Sequence, residues 1–129
     1  EIQLLDIITG QTSYITIEAK SEAYKLIETG NLYVELEQKK KNDDDYHDSG
    51  LDATTANYWA HKLQYDNPND FFVIIAPVEF LKRRLKVLNQ QGHAPIKGKQ
   101  RTFDGTATNG YAVDISKLFL NPKDNDTKR

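Results

Sequence analysis

Two carboxylates and a lysine stand close to the start of the chain in a pattern that can do chemistry. Glu18-Ala19-Lys20 closes the run Ser13-Tyr14-Ile15-Thr16-Ile17-Glu18, whose β-branched residues alternate with period two. Alternation sets Tyr14, Thr16 and Glu18 on one face and Ile15 and Ile17 on the other, and Lys20 continues the face of Glu18. Asp6 interrupts the preceding aliphatic run, Ile2 to Ile8, where a lone carboxylate costs free energy unless it is paired or metal-bound. Two carboxylates and a lysine converging at a sheet edge suit magnesium binding and water activation. The triplet by itself says little. Glu and Lys each make up about 6–7% of average sequences, so chance supplies an E-x-K in roughly half of chains this long. Glu37-Gln38-Lys39 is a second one. Glu18 is favoured because an acid-bearing strand precedes it across the tight turn Thr9-Gly10-Gln11-Thr12.

Other chemistries find less support. The chain has no cysteine, which excludes disulfides, zinc knuckles and thiol nucleophiles. His47, His61 and His93 are scattered without metal-ligand spacing and read as structural or surface residues. Ser49 has no neighbouring His and acid to make a triad. Asp43-Asp44-Asp45 lacks the Gly and distal Glu of a calcium loop and reads as a solvated run. No Gly-rich loop joins a strand to a helix, against dinucleotide and P-loop folds.

The net charge of −2 hides a strong asymmetry. Residues 1–81 hold 6 of the 17 basic residues and 15 of the 19 acids. Residues 82–101 hold Lys82, Arg83, Arg84, Lys86, Lys97, Lys99 and Arg101 with no acid. A concentrated basic stretch on an otherwise acidic chain points to a polyanionic partner, most simply nucleic acid.

The elements that must carry these residues follow from periodicity. Residues 2–8 and 13–18 form a hairpin, and Leu32-Tyr33-Val34-Glu35-Leu36-Glu37 alternates as a third strand. A helix is expected from Asp52, with Ala56, Trp59, Ala60 and Leu63 as its apolar face. Phe71-Phe72-Val73-Ile74-Ile75 reads as a strand buried on both faces at the centre of a sheet. Pro77 opens a second helix with Val78, Leu81, Leu85 and Leu88 as its buried stripe. Residues 89–108 read as a long loop and Tyr111 to Ile115 as a last short strand. The order gives an α/β fold with a central mixed β-sheet flanked by helices, as one domain over 1–120 with a polar tail over 121–129. No apolar run approaches the ~20 residues of a membrane helix, so no membrane partner is expected. Methionine is absent even at position 1, so Glu1 is not expected to be the translated start.

Several segments in order resemble the PD-(D/E)xK nuclease superfamily, in particular its small phage and bacterial members. They are Asp6 with Glu18-Ala19-Lys20 twelve residues on, then Thr29-Gly30-Asn31-Leu32-Tyr33-Val34-Glu35, then Ser49-Gly50-Leu51-Asp52-Ala53-Thr54-Thr55-Ala56-Asn57-Tyr58-Trp59. Gly110 to Ile115 is similar to the closing segment of those proteins, and the resemblance spans about residues 4–63 plus that piece. The resemblance implies a restriction-endonuclease-like core and a metal-dependent phosphodiesterase. In it Asp6, Glu18 and the carbonyl of Ala19 would ligate Mg2+, or Mn2+ in its place. Lys20 would orient the attacking water or stabilise transition-state charge, and Glu35 would add a further carboxylate. The sequence departs from the superfamily at Leu5, where a proline is common, and at Thr55 and Asn57, where a Lys and an Asp are common.

The reading that results is a metal-dependent DNA endonuclease. Lys82, Arg83, Arg84, Lys86, Lys97, Lys99 and Arg101 would hold the phosphate backbone while Asp6, Glu18, Lys20 and Glu35 cut it. A cytoplasmic setting, in a bacterium or a phage-infected host, and a homodimer go with that expectation. The alternative is a catalytically silent nuclease-fold module that binds DNA or a protein.

Overall fold

Leu32, Val34 and Leu36 alternate with Tyr33, Glu35 and Glu37, and this one-sided pattern sets the face on which the core is built. A computed structural model describes residues 2–22, 29–64, 67, 69–100 and 104–119. The strands are β1 Ile2–Leu5, β2 Thr12–Ile15, β3 Ile17–Glu22, β4 Asn31–Lys39, β5 His47–Asp48, β6 Tyr58–Gln64, β7 Phe71–Pro77, β8 Ile96–Gln100 and β9 Ala107–Asp114. The described helices are α1 Gly50–Ala53, α2 Val78–Gln90 and α3 Ile115–Leu118. The fold is mixed α/β with sheet predominating. None of the described helices is long and apolar enough to cross a membrane.

The expected single central sheet is resolved into separate hydrogen-bonded sheets. β1 and β2 form the antiparallel hairpin, as the turn signal indicated. β3 pairs parallel with β6 and β6 antiparallel with β7, giving the mixed sheet β3-β6-β7. β5-β4-β9-β8 is an antiparallel sheet. The division has a local cause at Thr16, the residue between β2 and β3. Its carbonyl accepts the N–H groups of Asn57 and Tyr58, each at 3.0 Å, so the chain exchanges one strand partner for another there.

The helix α2 buries Val78, Leu81, Leu85 and Leu88, the stripe its spacing predicts. These pack with Leu32, Val34 and Leu36 of β4, Leu51 of α1, Trp59 and Leu63 of β6 and Val113 of β9. Pro77 is the N-cap residue rather than part of the first turn. A Schellman-type ending closes the helix: His93 N–H donates to Leu88 O at 2.8 Å and Gly92 N–H to Asn89 O at 3.1 Å. Gly92 takes φ +81° there, which a side chain disfavours.

Four expectations are corrected. Only Gly50–Ala53 is helical after Ser49, and Tyr58–Gln64 is a strand. Ala56, Trp59, Ala60 and Leu63 match a helical stripe, but Trp59, His61 and Leu63 match a strand equally, and neighbours on both sides supply the ladder. The Phe71–Ile75 run is a strand, but at a sheet edge. Phe71, Phe72, Val73 and Ile75 are 51%, 48%, 47% and 61% exposed. An apolar run shows that a strand is sticky, not which neighbours it has. The expected loop of 89–108 contains the last turn of α2 and strand β8, whose residues are all exposed and which is held by backbone pairing to β9. The short closing strand is the eight-residue β9, central in its sheet. The expected polar tail of 121–129 lies outside the described residues.

Two measurements check this packing. Leu85→Ala, at a fully buried position, is expected to lose about 2–5 kcal/mol in denaturant unfolding. Val87→Ala, on the exposed side of the same helix, should lose less than about 1 kcal/mol. Asp114 caps α3 and accepts from Ser116 Oγ at 2.6 Å and Ser116 N–H at 3.0 Å, which hold its carboxyl below the usual 3.8. Folding therefore favours the ionised form, and its contribution is present above pH 3.8 and lost as the pH falls through the lowered value. Asp114→Ala should cost about 0.5–2 kcal/mol at neutral pH, with the difference from the parent shrinking in acid.

Candidate functional site

The parallel register of β3 on β6 pairs Glu18 with Trp59 and Lys20 with His61. Alternation then turns Glu18 and Lys20 to the face that carries the buried Trp59 and His61. Lys20 Nζ lies 2.9 Å from Glu18 Oε1, and both side chains are 39% exposed. The same ammonium lies 5.7 Å from the Trp59 ring centroid. Trp59 Nε1–H donates to His61 Nδ1 at 3.2 Å.

The opposite wall comes from the other sheet. Tyr33 and Glu35 of β4, Lys99 and Gln100 of β8 and Thr108 of β9 enclose, with Lys20, Trp59 and His61, a cleft of about 400 Å³. Glu35 Oε2 accepts from the buried Ser49 hydroxyl at 2.7 Å. Tyr33 Oη is 2.9 Å from Thr108 Oγ1, and Lys99 Nζ lies 3.9 Å from the Tyr33 ring centroid. A second cavity of about 480 Å³ adjoins the other side of the Glu18 pair, lined by Glu18, Gly50, Thr55 and their neighbours. Gly50 links the two, because it packs directly on the Glu35 backbone.

Lys20 and Glu35 thus line one cleft, while Glu18, ion-paired to Lys20, lines the second cavity, and Ala19 between the two turns its side chain to the opposite face. Asp6 is not brought to them. The hairpin register sets Asp6 beside Gln11, where Asp6 N–H donates to Gln11 O at 2.8 Å. Gln11 precedes Glu18 by seven residues, roughly 20 Å of extended strand. The Asp6 carboxylate serves the turn instead, accepting from Ile8 N–H at 2.9 Å and Thr9 N–H at 3.1 Å. Those bonds, Thr9 foremost, hold its pKa below the usual value.

The basic stretch is divided. Lys97 and Lys99 of β8 lie on the same side of the sheet as Tyr33 of β4, opposite to Leu32, Val34 and Leu36. The helix α2 packs against that other face, so Lys82, Arg83, Arg84 and Lys86 stand on the far side of the sheet from the cleft. Arg84 is a structural tie there, donating to Leu118 O at 3.2 Å and Lys117 O at 3.0 Å. Lys82 pairs with Glu79 at 3.9 Å and sits near Asp52. Burial and the charge of Asp48 push the Asp52 carboxyl up, and Lys82 opposes them. Arg101 lies outside the described residues.

Residue types alone did not single out Tyr33, Ser49, Trp59 and His61. The signal available was strand alternation over Trp59, His61 and Leu63, masked by its fit to a helical stripe. Among the described residues no group of three or more His, Asp or Glu is close enough to hold a metal with side chains alone. Magnesium is commonly held by one or two carboxylates and otherwise by water and substrate phosphate; the carboxylates available to it here are Glu35 in the cleft and Glu18 in the second cavity. No protein-family model, curated protein or solved structure matches the chain.

Gly50 has φ +52°, and a Cβ there would run into the Glu35 carbonyl oxygen. Gly50→Ala therefore combines left-handed strain with a backbone clash and should cost more than about 3 kcal/mol in thermal unfolding. At Gly92, where nothing lies within 4 Å of such a Cβ, Ala should cost only about 1–2 kcal/mol.

Proposed function

We propose that this chain is a metal-dependent DNA endonuclease built on a restriction-endonuclease-like core, with Glu18, Lys20 and Glu35 as its reacting set. The observation that carries the reading is the Lys20 ammonium, held by Glu18, lining together with Glu35 a cleft that also receives Lys99. Glu18 and Glu35 would hold the metal, which supplies Lewis acidity and an activated water when bound. Lys20 is restrained by Glu18 at 2.9 Å, so its ammonium needs little reorganisation to meet charge developing on a phosphate. Lys99 and Lys97 would take the flanking backbone, a contact that is salt-sensitive and carries little sequence information. Trp59 and His61 form a buried floor that limits water behind the reacting groups. The Ser49 hydroxyl fixes the orientation of Glu35.

One observation favours a second reading, a nuclease-like fold that binds DNA without cutting. Asp6, the acid expected to complete the set, is engaged in the hairpin turn. Lysines and aromatic rings alone would still hold a phosphate backbone.

Cleavage of labelled duplex, single-stranded and branched DNA, with Mg2+ or with chelator, separates the two. Metal-dependent cutting by the parent is expected, reduced at least about 100-fold in Glu35→Gln and in Glu18→Ala and largely retained in Asp6→Asn. Salt-sensitive binding without cutting would favour the binding module. Loss in Asp6→Asn with retention in Glu35→Gln would remove Glu35 from the reacting set.

A further inference from the structure

Strand β7 is the outer strand of its sheet, and no described residue pairs with its free side. Val78 N–H donates to Asn57 O at 2.9 Å, which makes those two a hydrogen-bonded pair. Bonded and non-bonded pairs alternate along an antiparallel ladder, so Phe72, Ile74 and Ala76 turn their backbone groups to β6. Phe71, Val73 and Ile75 turn theirs outward, together with the Pro77 carbonyl. The seven residues carry no charge and no bulge, and the one proline is the last of them. Exposed edges of this kind are templates for another strand.

The two ends of the strand are complementary in shape. Beside its C-terminal end lies an apolar groove of about 340 Å³, lined by Ala76, Phe80, Leu118 and Phe119 among others. Phe80 and Phe119 are exposed. Near the N-terminal end stands Phe72, half exposed, on the same face of the sheet as Ala76. A knob and a hole at opposite ends of one strand are brought together twice by an antiparallel partner with the same sequence. Such a pairing is isologous and closes at two copies.

We propose that β7 pairs antiparallel with β7 of a second copy of this chain about a two-fold axis at Ile74, seating each Phe72 in the apolar groove of the other copy. Val73 then faces Ile75 of the second copy as a hydrogen-bonded pair, and Phe71 N–H meets the second copy's Pro77 carbonyl. Phe72 stands opposite Ala76, which lines the groove with Phe80 and Phe119. The two Ile74 residues form the central non-bonded pair, where Cα atoms are about 4.5 Å apart. The surface is independent of the cleft, so it stands whether or not the chain cuts DNA.

Sedimentation of the full chain over a wide concentration range tests the proposal, with an expected rise to twice the 14.8 kDa of one chain. Val73→Pro removes an outward N–H without touching the pairing to β6, and should weaken dimerisation at least about tenfold. The chain has no cysteine, so Ile74→Cys introduces a single thiol at the axis, within disulfide reach of its symmetry mate. Oxidation should cross-link Ile74→Cys into dimers and leave Ile7→Cys, on the exposed hairpin turn, monomeric. A one-chain mass at every concentration would overturn the proposal, as would equal cross-linking of both variants. A monomer whose Val73 and Ile75 amides are protected from hydrogen exchange would also overturn it, by showing that another part of the chain covers the edge.

Discussion

The arrangement rests on one clasp, between Thr16 and Asn57. Thr16 O accepts two backbone N–H groups from Asn57 and Tyr58, and Asn57 Oδ1 accepts from Thr16 N–H at 3.1 Å. Asn57 N–H also reaches Thr16 Oγ1 at 3.1 Å. Together these fix where β3 begins along β6. A slip of one residue would turn Glu18 and Lys20 away from Trp59 and His61, since side chains alternate strictly along a strand. The register of two strands distant in sequence thus decides whether a lysine faces an aromatic floor or solvent.

Charge is organised by the same geometry. The Glu18–Lys20 pair is too exposed to contribute much stability, and its consequence is positional. It presents an ammonium at the mouth of a cleft whose far wall carries Glu35 and Lys99. The β5-β4-β9-β8 sheet separates this region from the helix α2, so a basic stretch continuous in sequence becomes two surfaces in space. Among the described residues of that stretch, Lys97 and Lys99 belong to the cleft side. Arg84, despite its charge, ties α2 to the α3 carbonyls.

β4 and α2 were legible in the sequence because each buries one side at a regular spacing, and the hairpin because a Gly-containing turn joins two strand-forming runs, although its strands stay exposed. Val78, Leu81, Leu85 and Leu88 leave little choice of face, and Leu32, Val34 and Leu36 leave none. β6 was not legible, because Trp59, Ala60 and Leu63 satisfy a helical period while Trp59, His61 and Leu63 satisfy a strand. The long-range ladders to β3 and β7 decide between them. β8 has no apolar alternation, since backbone pairing rather than burial holds it. Asp6 misled for a different reason. A carboxylate amid aliphatic residues needs partners, and the backbone N–H groups of its own turn supply them, which no residue pattern reveals. Glu18 and Lys20 were singled out by residue type and alternation and Glu35 by the resemblance, whereas the contacts of Ser49 and His61 are made only in the folded chain.

Trp59 is the sole tryptophan and lies in the floor of the cleft, which makes its indole N–H a unique reporter. The most direct measurement is the NMR line width of that resonance as Mn2+ is added, in the parent chain and in a variant carrying both Glu18→Ala and Glu35→Gln. Selective broadening in the parent, relieved by excess Mg2+ and absent from the variant, is what the account predicts. An indole signal left sharp while amides around Asp6 or Asp43 to Asp45 broaden would place the metal elsewhere and contradict it.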